Sequence, residues 1–207
     1  MSAVETINFT RGVPAVESYP TADLAQSAAS ALATSADAML AYGPSAGIAP
    51  LRAWLANWQG VKPEQVLVGN GSLELIEFLC TALLKPGDVV FTEAPSYDRA
   101  ITLFRRHGVT VIGVPLEADG PNIAQLEALL AKHTPKVFYV IPDFQNPSGA
   151  TCSTAKRKRI AELATQHDVL LLEDAPYRML RYRGTPEPTI YSMAPQRTLH
   201  MTSFTKL

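Results

Sequence analysis

Short apolar runs alternate with amphipathic helical runs through most of this sequence. From about residue 66 onward, the apolar runs are rich in Val, Leu and Ile, and the stretches between them repeat apolar residues at three-to-four spacing. Strands that are apolar throughout belong to sheets buried on both faces, as in a parallel sheet covered by helices. The pattern therefore predicts an α/β fold with a mainly parallel sheet between layers of helices.

The sequence also predicts where each element lies. The predicted strands are residues 65–69, 88–92, 109–114, 136–141, 169–173 and 198–203. The predicted helices between them are residues 73–84, 97–107, 122–132 and 153–167. Ahead of this block we expect an Ala-rich helix over 21–39 and a second helix over 48–58, with Pro50 in its first turn.

The first predicted helix separates an N-terminal region from the rest of the chain. Thr21 is the expected cap of this helix, and the expected inward face is formed by Leu24, Ala28, Ala31 and Leu32. We assign residues 1–40 to an N-terminal arm and helix, and residues 41–207 to one large domain.

Composition excludes several functional classes. Eighteen Lys and Arg against nineteen Asp and Glu leave a net charge of −1, which argues against electrostatic binding to nucleic acid or to a membrane surface. Cys80 and Cys152 lie far apart, and the histidines show no metal-ligand spacing, so neither a disulfide framework nor a metal site is expected. Without a signal-like segment or an apolar run of about 18 residues, the expected location is the cytoplasm.

One basic run needs its own interpretation. The sequence Lys-Arg-Lys-Arg at 156–159 lies in a predicted amphipathic helix. Since the chain as a whole is almost neutral, we interpret the run as a solvated helix face and not as a nucleic-acid patch.

Ligands of open parallel sheets bind beyond the carboxyl ends of the strands, so the loops there are the candidate sites. The stretch Gly-Asn-Gly-Ser-Leu-Glu at 69–74 joins a predicted strand to a helix, and its small residues and helix N-terminus suit an anion. Glu74 stands where a dinucleotide fingerprint has its third glycine, so a single phosphate fits better. A tight turn without a ligand is the alternative.

Three other strand ends carry polar residues. Asn146, fixed beside Pro147, offers an amide to a ligand oxygen, although the segment is also compatible with a surface loop. Asp174 follows a very apolar strand, where a carboxylate is costly unless it meets a cation or caps a helix. Lys206 also ends a strand, and a lysine with a depressed pKa is a nucleophile. The Ser-x-x-Lys motif of penicillin-recognising enzymes is set aside because their other two elements are missing.

Six motifs occur together in one order. They are Tyr-Gly-Pro-Ser-Ala-Gly at 42–47 with Leu-Arg at 51–52, Gly-Asn-Gly-Ser at 69–72, Ala-Pro-Ser-Tyr at 94–97, Gln-Asn-Pro-Ser-Gly at 145–149, Asp-Ala-Pro-Tyr at 174–177 and Ser-Phe-Thr-Lys at 203–206. In this order the chain resembles, from about residue 8 to 207, the large domain of fold-type I aminotransferases that use pyridoxal 5′-phosphate.

The segment 142–149 indicates which subgroup of this family the chain resembles. It looks most like the subgroup of 2-aminoadipate and aromatic aminotransferases, and like the aminotransferase half of certain GntR-type regulators. We expect the enzyme, because the sequence before residue 8 shows no winged-helix segment.

The resemblance implies a role for each motif residue around the cofactor ring. Lys206 is expected to bond the cofactor aldehyde and to move the substrate proton, while Asp174 pairs with the pyridine nitrogen. Tyr97 is expected to stack on the ring, and Asn146 and Tyr177 to hydrogen-bond its phenolic oxygen.

The phosphate and the substrate have implied partners too. The phosphate is expected to bind the backbone N–H groups of Gly71, Ser72 and Leu73 and the hydroxyls of Ser72 and Ser203. Tyr42 is expected to reach the phosphate of a neighbouring subunit, which implies a homodimer. Gly12 and Asn146 are the expected contacts of the substrate carboxylate.

The resemblance implies transfer of an amino group from an amino acid to a 2-oxo acid. A lyase or decarboxylase of the same fold stays open, as does a non-catalytic cofactor-binding module or an inactive fragment. In the family the chain continues beyond the lysine to a phosphate-binding arginine and a C-terminal small domain. We therefore expect this chain to be a truncated large domain without the small domain.

We expect the 207-residue chain alone to be poorly stable and to have little or no transaminase activity. Missing strands leave a sheet edge unpaired and an apolar face exposed, which favours aggregation. Size-exclusion chromatography and a transaminase assay on the purified chain check this. A monodisperse chain with measurable turnover contradicts the prediction.

Overall fold

The computed structural model describes residues 14–206, which divide into two compact units. One unit comprises the described residues up to Gly69 together with Lys206, and the other comprises Asn70–Thr205. The predicted boundary between residues 40 and 41 stays a prediction.

Within the described residues, six strands of the second unit form one sheet in the order β3-β2-β1-β4-β5-β6. Every neighbouring pair from β2 to β6 is parallel, and β3 runs antiparallel to β2 at the edge. The predicted α/β class with a mainly parallel sheet is confirmed. The strands are β1 Val89–Ala94, β2 Thr110–Glu117, β3 Gly120–Pro121, β4 Pro135–Val140, β5 Leu170–Asp174 and β6 Thr198–Met201.

Helices cover both faces of this sheet. Because side chains alternate along a strand, Phe91 and Leu171 pack in one cluster with α5 and α6, whereas Val90 and Leu172 pack in another with α3 and α4. Burial on both faces explains why the strands are apolar at nearly every position. The helices of this unit are α3 Ser72–Leu83, α4 Asp98–Arg106, α5 Ile123–Leu130, α6 Thr154–Gln166 and α7 Ile190–Met193.

The strand order places a topological switch point between β1 and β4. The chain leaves β1 through α4 on one face of the sheet, and it leaves β4 through α6 on the other. Two neighbouring loops therefore diverge at the carboxyl ends of these strands. Such a divergence forms a crevice, which is where open α/β sheets bind ligands.

The first unit contains α1 Thr21–Leu40 and α2 Ala49–Gln59, and two expectations about it are wrong. Thr21 does not cap α1, because Pro20 occupies the cap position and no side chain bonds the first turn. The expected inward face of Leu24, Ala28, Ala31 and Leu32 is not buried, and 61% of Leu24 is exposed. The periodicity of the Ala-rich segment predicted the helix correctly, but it did not predict that the expected inward face is unburied.

The predicted strand at 65–69 is also wrong. Pro63–Gln65 form a 3-10 turn, and the following residues join no ladder. Their backbone groups find partners elsewhere in the unit, because Arg52 Nε donates to the Val66 carbonyl (2.9 Å) and Val68 N–H donates to the Ala46 carbonyl (3.0 Å). Because these backbone groups already have hydrogen-bond partners, they do not need a neighbouring strand to supply them.

The basic run of α6 is not uniformly solvated, which corrects the interpretation of residues 156–159. Arg157 is fully buried, and its guanidinium makes two bonds to Asp143, at 3.0 Å from Nη2 to Oδ1 and 3.2 Å from Nη1 to Oδ2. Arg178 and Arg181 also donate to Asp143. Burial alone raises the pKa of Asp143, but Arg157 and Arg178 hold it below its usual value. The available signal was that Arg157 shares its helix face with Ile160.

We expect Arg157→Met to lower the free energy of unfolding by about 3 kcal/mol or more, because it leaves the buried Asp143 carboxylate short of its main partner. Urea unfolding followed by circular dichroism measures this. Lys158→Met, on the exposed side of the same helix, is the matched control and should change stability by less than about 0.5 kcal/mol. Equal losses in both variants contradict the assignment.

Candidate functional site

Buried ionisable side chains gather at the carboxyl ends of β1, β4 and β5. Glu93 is the second-to-last residue of β1 at 2% exposure, Tyr139 lies in β4 at 0%, and Asp174 ends β5 at 4%. Tyr139 and Asp174 share the sheet face of Leu172, whereas Glu93 shares the face of Phe91. A parallel sheet brings strand ends together, so residues distant in sequence meet at this edge.

Asp174 is a carboxylate with its two oxygens in different situations. The Tyr139 hydroxyl donates to Oδ2 at 2.6 Å, whereas Oδ1 is buried and has no hydrogen-bond partner within residues 14–206. Burial raises the pKa of Asp174 to about 6, and the Tyr139 hydrogen bond and the nearby His200 limit that rise. At neutral pH the group is therefore mainly ionised, with one oxygen held and the other open to a donor.

Tyr97, Asn146 and Tyr177 lie around this carboxylate. Burial raises the pKa of Tyr177, and the Asp174 charge and Tyr97 add to the rise, while a hydrogen bond from Asn146 opposes it. Tyr97 packs at the edge of the cluster that contains Tyr139. The structure thus brings together four of the predicted site residues: Asp174, Tyr97, Asn146 and Tyr177.

The first turn of α3 offers backbone donors, as the loop 69–74 predicted. Gly71 precedes the helix at φ 110°, a backbone conformation that favours glycine. The N–H groups of Ser72 and Leu73 have no carbonyl within the helix, as in the first turn of any helix, and can bind an anion. Glu74 Oε2 accepts from the Asn70 N–H at 2.6 Å, so its carboxylate is tied to the loop.

The remaining predicted site residues stay predictions in their roles. Ser203 follows β6, and its hydroxyl accepts from the Thr205 N–H at 3.2 Å. Lys206 is the last residue of a 3-10 turn, Phe204–Lys206. Tyr42 lies exposed between α1 and α2, and Gly12 falls outside the described residues.

Sequence reasoning missed Glu93, Tyr139 and Gln145. Burial raises the pKa of Glu93 to about 8; hydrogen bonds from Ile141 and Gln145 oppose that rise, and the Asp174 charge adds to it. A signal was present, because Glu93 follows an apolar strand in the way that Asp174 does. The sequence contained no such signal for Tyr139, because tyrosines inside apolar strands are common in protein cores.

No group of three His, Cys, Asp or Glu side chains within residues 14–206 is arranged to hold a metal ion. Among the helices described, none has the length and apolar character needed to cross a membrane.

Comparison with known proteins identifies the family. The family model for aminotransferases of class I and II matches residues 4–206. This chain belongs to that family. The 2-aminoadipate transaminase of Thermus thermophilus is 35% identical to this chain over 205 residues, covering 97% of the chain and 52% of the relative.

Solved aminotransferase structures match the fold as well. The α-aminoadipate aminotransferase of Thermus thermophilus, complexed with N-(5′-phosphopyridoxyl)-L-leucine, has a TM-score of 0.91 at 35% identity, covering 96% of this chain and 52% of its own. The kynurenine aminotransferase of Pyrococcus horikoshii has a TM-score of 0.88 at 31% identity, covering 95% and 51%. The chain spans about half the length of the curated relatives it matches.

We expect Tyr139→Phe to raise the pKa of Asp174 further above about 6, because the lost hydroxyl stabilises the ionised carboxyl. Carbon-13 NMR of labelled aspartate carboxyls, titrated between pH 4 and 8, measures it. Tyr182→Phe removes a hydroxyl from a side chain that is 87% exposed, and it should leave the midpoint unchanged. An unshifted midpoint in Tyr139→Phe contradicts the role given to this hydrogen bond.

Proposed function

We propose that this chain is the cofactor-binding part of a pyridoxal 5′-phosphate-dependent aminotransferase, which moves an amino group from an amino acid to a 2-oxo acid. The observation that carries the proposal is the open Oδ1 of the buried, ionised Asp174. A buried charge of this kind needs a cation or a donor, and a protonated ring nitrogen is both. Family membership and the ligand of the Thermus thermophilus structure support this choice of partner.

The residues around Asp174 fit the rest of the ring. When bound, pyridoxal phosphate supplies an electron sink for charge that develops at the substrate α-carbon. Asp174 holds the proton on the ring nitrogen, and the half-buried Tyr97 offers an aromatic face. Tyr177 is protonated at neutral pH, and burial raises its pKa further, so its hydroxyl, like the Asn146 amide, can donate to the phenolic oxygen.

The first turn of α3 and the serines supply the phosphate site of this proposal. The donors of this site are the backbone N–H groups of Gly71, Ser72 and Leu73 and the hydroxyls of Ser72 and Ser203, a set that suits an anion. Lys206 supplies the amine that bonds the cofactor aldehyde. Tyr42 of a second subunit completes the phosphate site in a homodimer, and Gly12 and Asn146 receive the substrate carboxylate.

We expect the 207-residue chain, mixed with pyridoxal phosphate, to develop the visible absorbance of lysine-bound cofactor. Lys206→Ala should abolish that band, because no other amine is assigned to the aldehyde. Lys158→Ala, an exposed lysine, is the matched control and should keep it. If Lys206→Ala leaves the band unchanged, the assignment of Lys206 fails.

We expect the affinity for pyridoxal phosphate to rise as pH increases through about 6, where Asp174 loses its proton. Below that pH the neutral carboxyl holds the ring cation weakly, and above it the carboxylate holds it strongly. The cofactor phosphate itself titrates near pH 6, so the comparison is made with Asp174→Asn.

Equilibrium binding from pH 5 to 8 should show the wild-type chain gaining about tenfold or more over Asp174→Asn, the scale of one charged hydrogen bond. Because the phosphate titrates in both proteins, the ratio of the two affinities isolates the carboxylate. A ratio that stays flat across this range contradicts the pairing of Asp174 with the ring.

A further inference from the structure

The crevice at the topological switch point has walls that the backbone does not join. The loop at 94–97 follows β1 and continues to α4 on one face, while the loop at 142–149 follows β4 and continues to α6 on the other. Tyr97 lies on the first loop and Asn146 on the second. Parallel strand pairing ends with Thr92 and Tyr139, so the ladder does not fix the distance between the two loops.

Gln145 spans this gap with its side chain. Its Nε2 donates to Glu93 Oε2 at 3.1 Å and to the Pro95 carbonyl at 2.9 Å. Its Oε1 accepts from the Ser148 N–H at 2.9 Å, which ties the amide back to its own loop. Gln145 is 2% exposed, so water cannot readily replace these bonds and leaving them unmade is costly.

Glu93 anchors the other side of the gap. Its Oε2 accepts from Gln145 and also from the Ile141 N–H at 3.0 Å, at the exit of β4. One carboxyl oxygen at the end of β1 therefore fixes both the start of the second loop and the side chain that returns from it.

We propose that Gln145 and Glu93 form a clamp that holds the Tyr97 loop and the Asn146 loop at a fixed separation, as positioning residues for a flat ligand between them. The identity of that ligand, pyridoxal phosphate, rests on the function proposed above. Asn146 directly follows Gln145, and Tyr97 lies two residues after Pro95, so movement at either end of the clamp shifts a ligand-facing side chain. A displacement of about 1 Å in such positions can cost about a hundredfold in rate.

The charge state of Glu93 suits an anchor. Its pKa of about 8 leaves the carboxyl mostly neutral at pH 7. Because Oε2 accepts both N–H bonds, the proton belongs on Oε1. A glutamine reproduces this arrangement, with its carbonyl oxygen in place of Oε2 and its amide nitrogen in place of Oε1. Glu93→Gln is therefore the conservative variant, and Glu93→Leu removes the acceptor.

Hydrogen–deuterium exchange of the unliganded 207-residue chain tests the clamp itself. Gln145→Leu and Glu93→Leu should both raise exchange in the peptides covering 94–97 and 142–149, whereas Glu93→Gln should stay near wild type. Leu126→Ala is the control for general destabilisation, because Leu126 is buried in α5, which is part of neither loop. It should raise exchange across the sheet without singling out these two segments.

Two exchange results overturn the clamp. One is a rise confined to 142–149 in Gln145→Leu, because the loops would then move independently. The other is an effect of Glu93→Gln equal to that of Glu93→Leu, because Glu93 would then not act as a neutral acceptor. This test needs no cofactor, so a wild-type chain that fails to bind pyridoxal phosphate defeats the proposed function while the exchange data still decide the clamp.

Cofactor binding tests the positioning role separately. Gln145→Leu should weaken pyridoxal phosphate binding about tenfold and reduce the circular dichroism induced in the bound cofactor, which reports how the ring is held. Glu93→Gln should restore both towards wild type relative to Glu93→Leu. Unchanged affinity and unchanged induced signal in Gln145→Leu, in a wild-type background that binds the cofactor, overturn the positioning role.

Discussion

A negative charge buried at Asp174 is the constraint around which the strand ends are arranged. Its pKa rises from 3.8 to about 6, mainly through burial, so the folded state holds that proton more tightly than the unfolded chain does. Stability therefore falls as pH rises from about 4 to 6 and the carboxyl ionises. The Tyr139 hydrogen bond offsets part of that cost but leaves Oδ1 open. Buried carboxylates with a shifted pKa are concentrated at functional sites of proteins.

The adjacent acid, Glu173, is also buried, but both of its carboxylate oxygens have partners. It shares the opposite face of the sheet with Leu171, where it accepts from the N–H groups of Ile190 and Tyr191 and pairs with His200, at 2.9–3.0 Å. Burial alone raises the pKa of Glu173, yet His200 and these backbone donors hold it below its usual value. Glu173 is satisfied within the fold and stabilises the start of α7. Two consecutive carboxylates thus differ in role because strand alternation gives them different neighbours.

The sequence pattern predicted strands correctly where the local preference of a segment and its tertiary environment favour the same structure. Strands buried on both faces must be apolar throughout, so β1, β4 and β5 were found within a few residues. The pattern failed at 65–69, where Arg52 and Ala46 satisfy the backbone in place of a neighbouring strand. It failed at Arg157 because a charge that is paired at both ends of its guanidinium looks, in sequence, like a solvated one.

The candidate site likewise contains residues that the sequence predicted and residues that it did not. The residues that the proposal places around a ligand belong to short local motifs. Asn146 and Asp174 were predicted from their strand ends, and Tyr97 and Tyr177 from the family resemblance. The pairing of residues across the crevice has no local signal, because Gln145 meets Glu93 from 52 positions away in the sequence. Their pairing follows from the strand order, which sets β1 beside β4 and sends their loops to opposite faces. A switch point that opens a crevice also separates its walls, so a buried side-chain bridge is the direct way to hold them together.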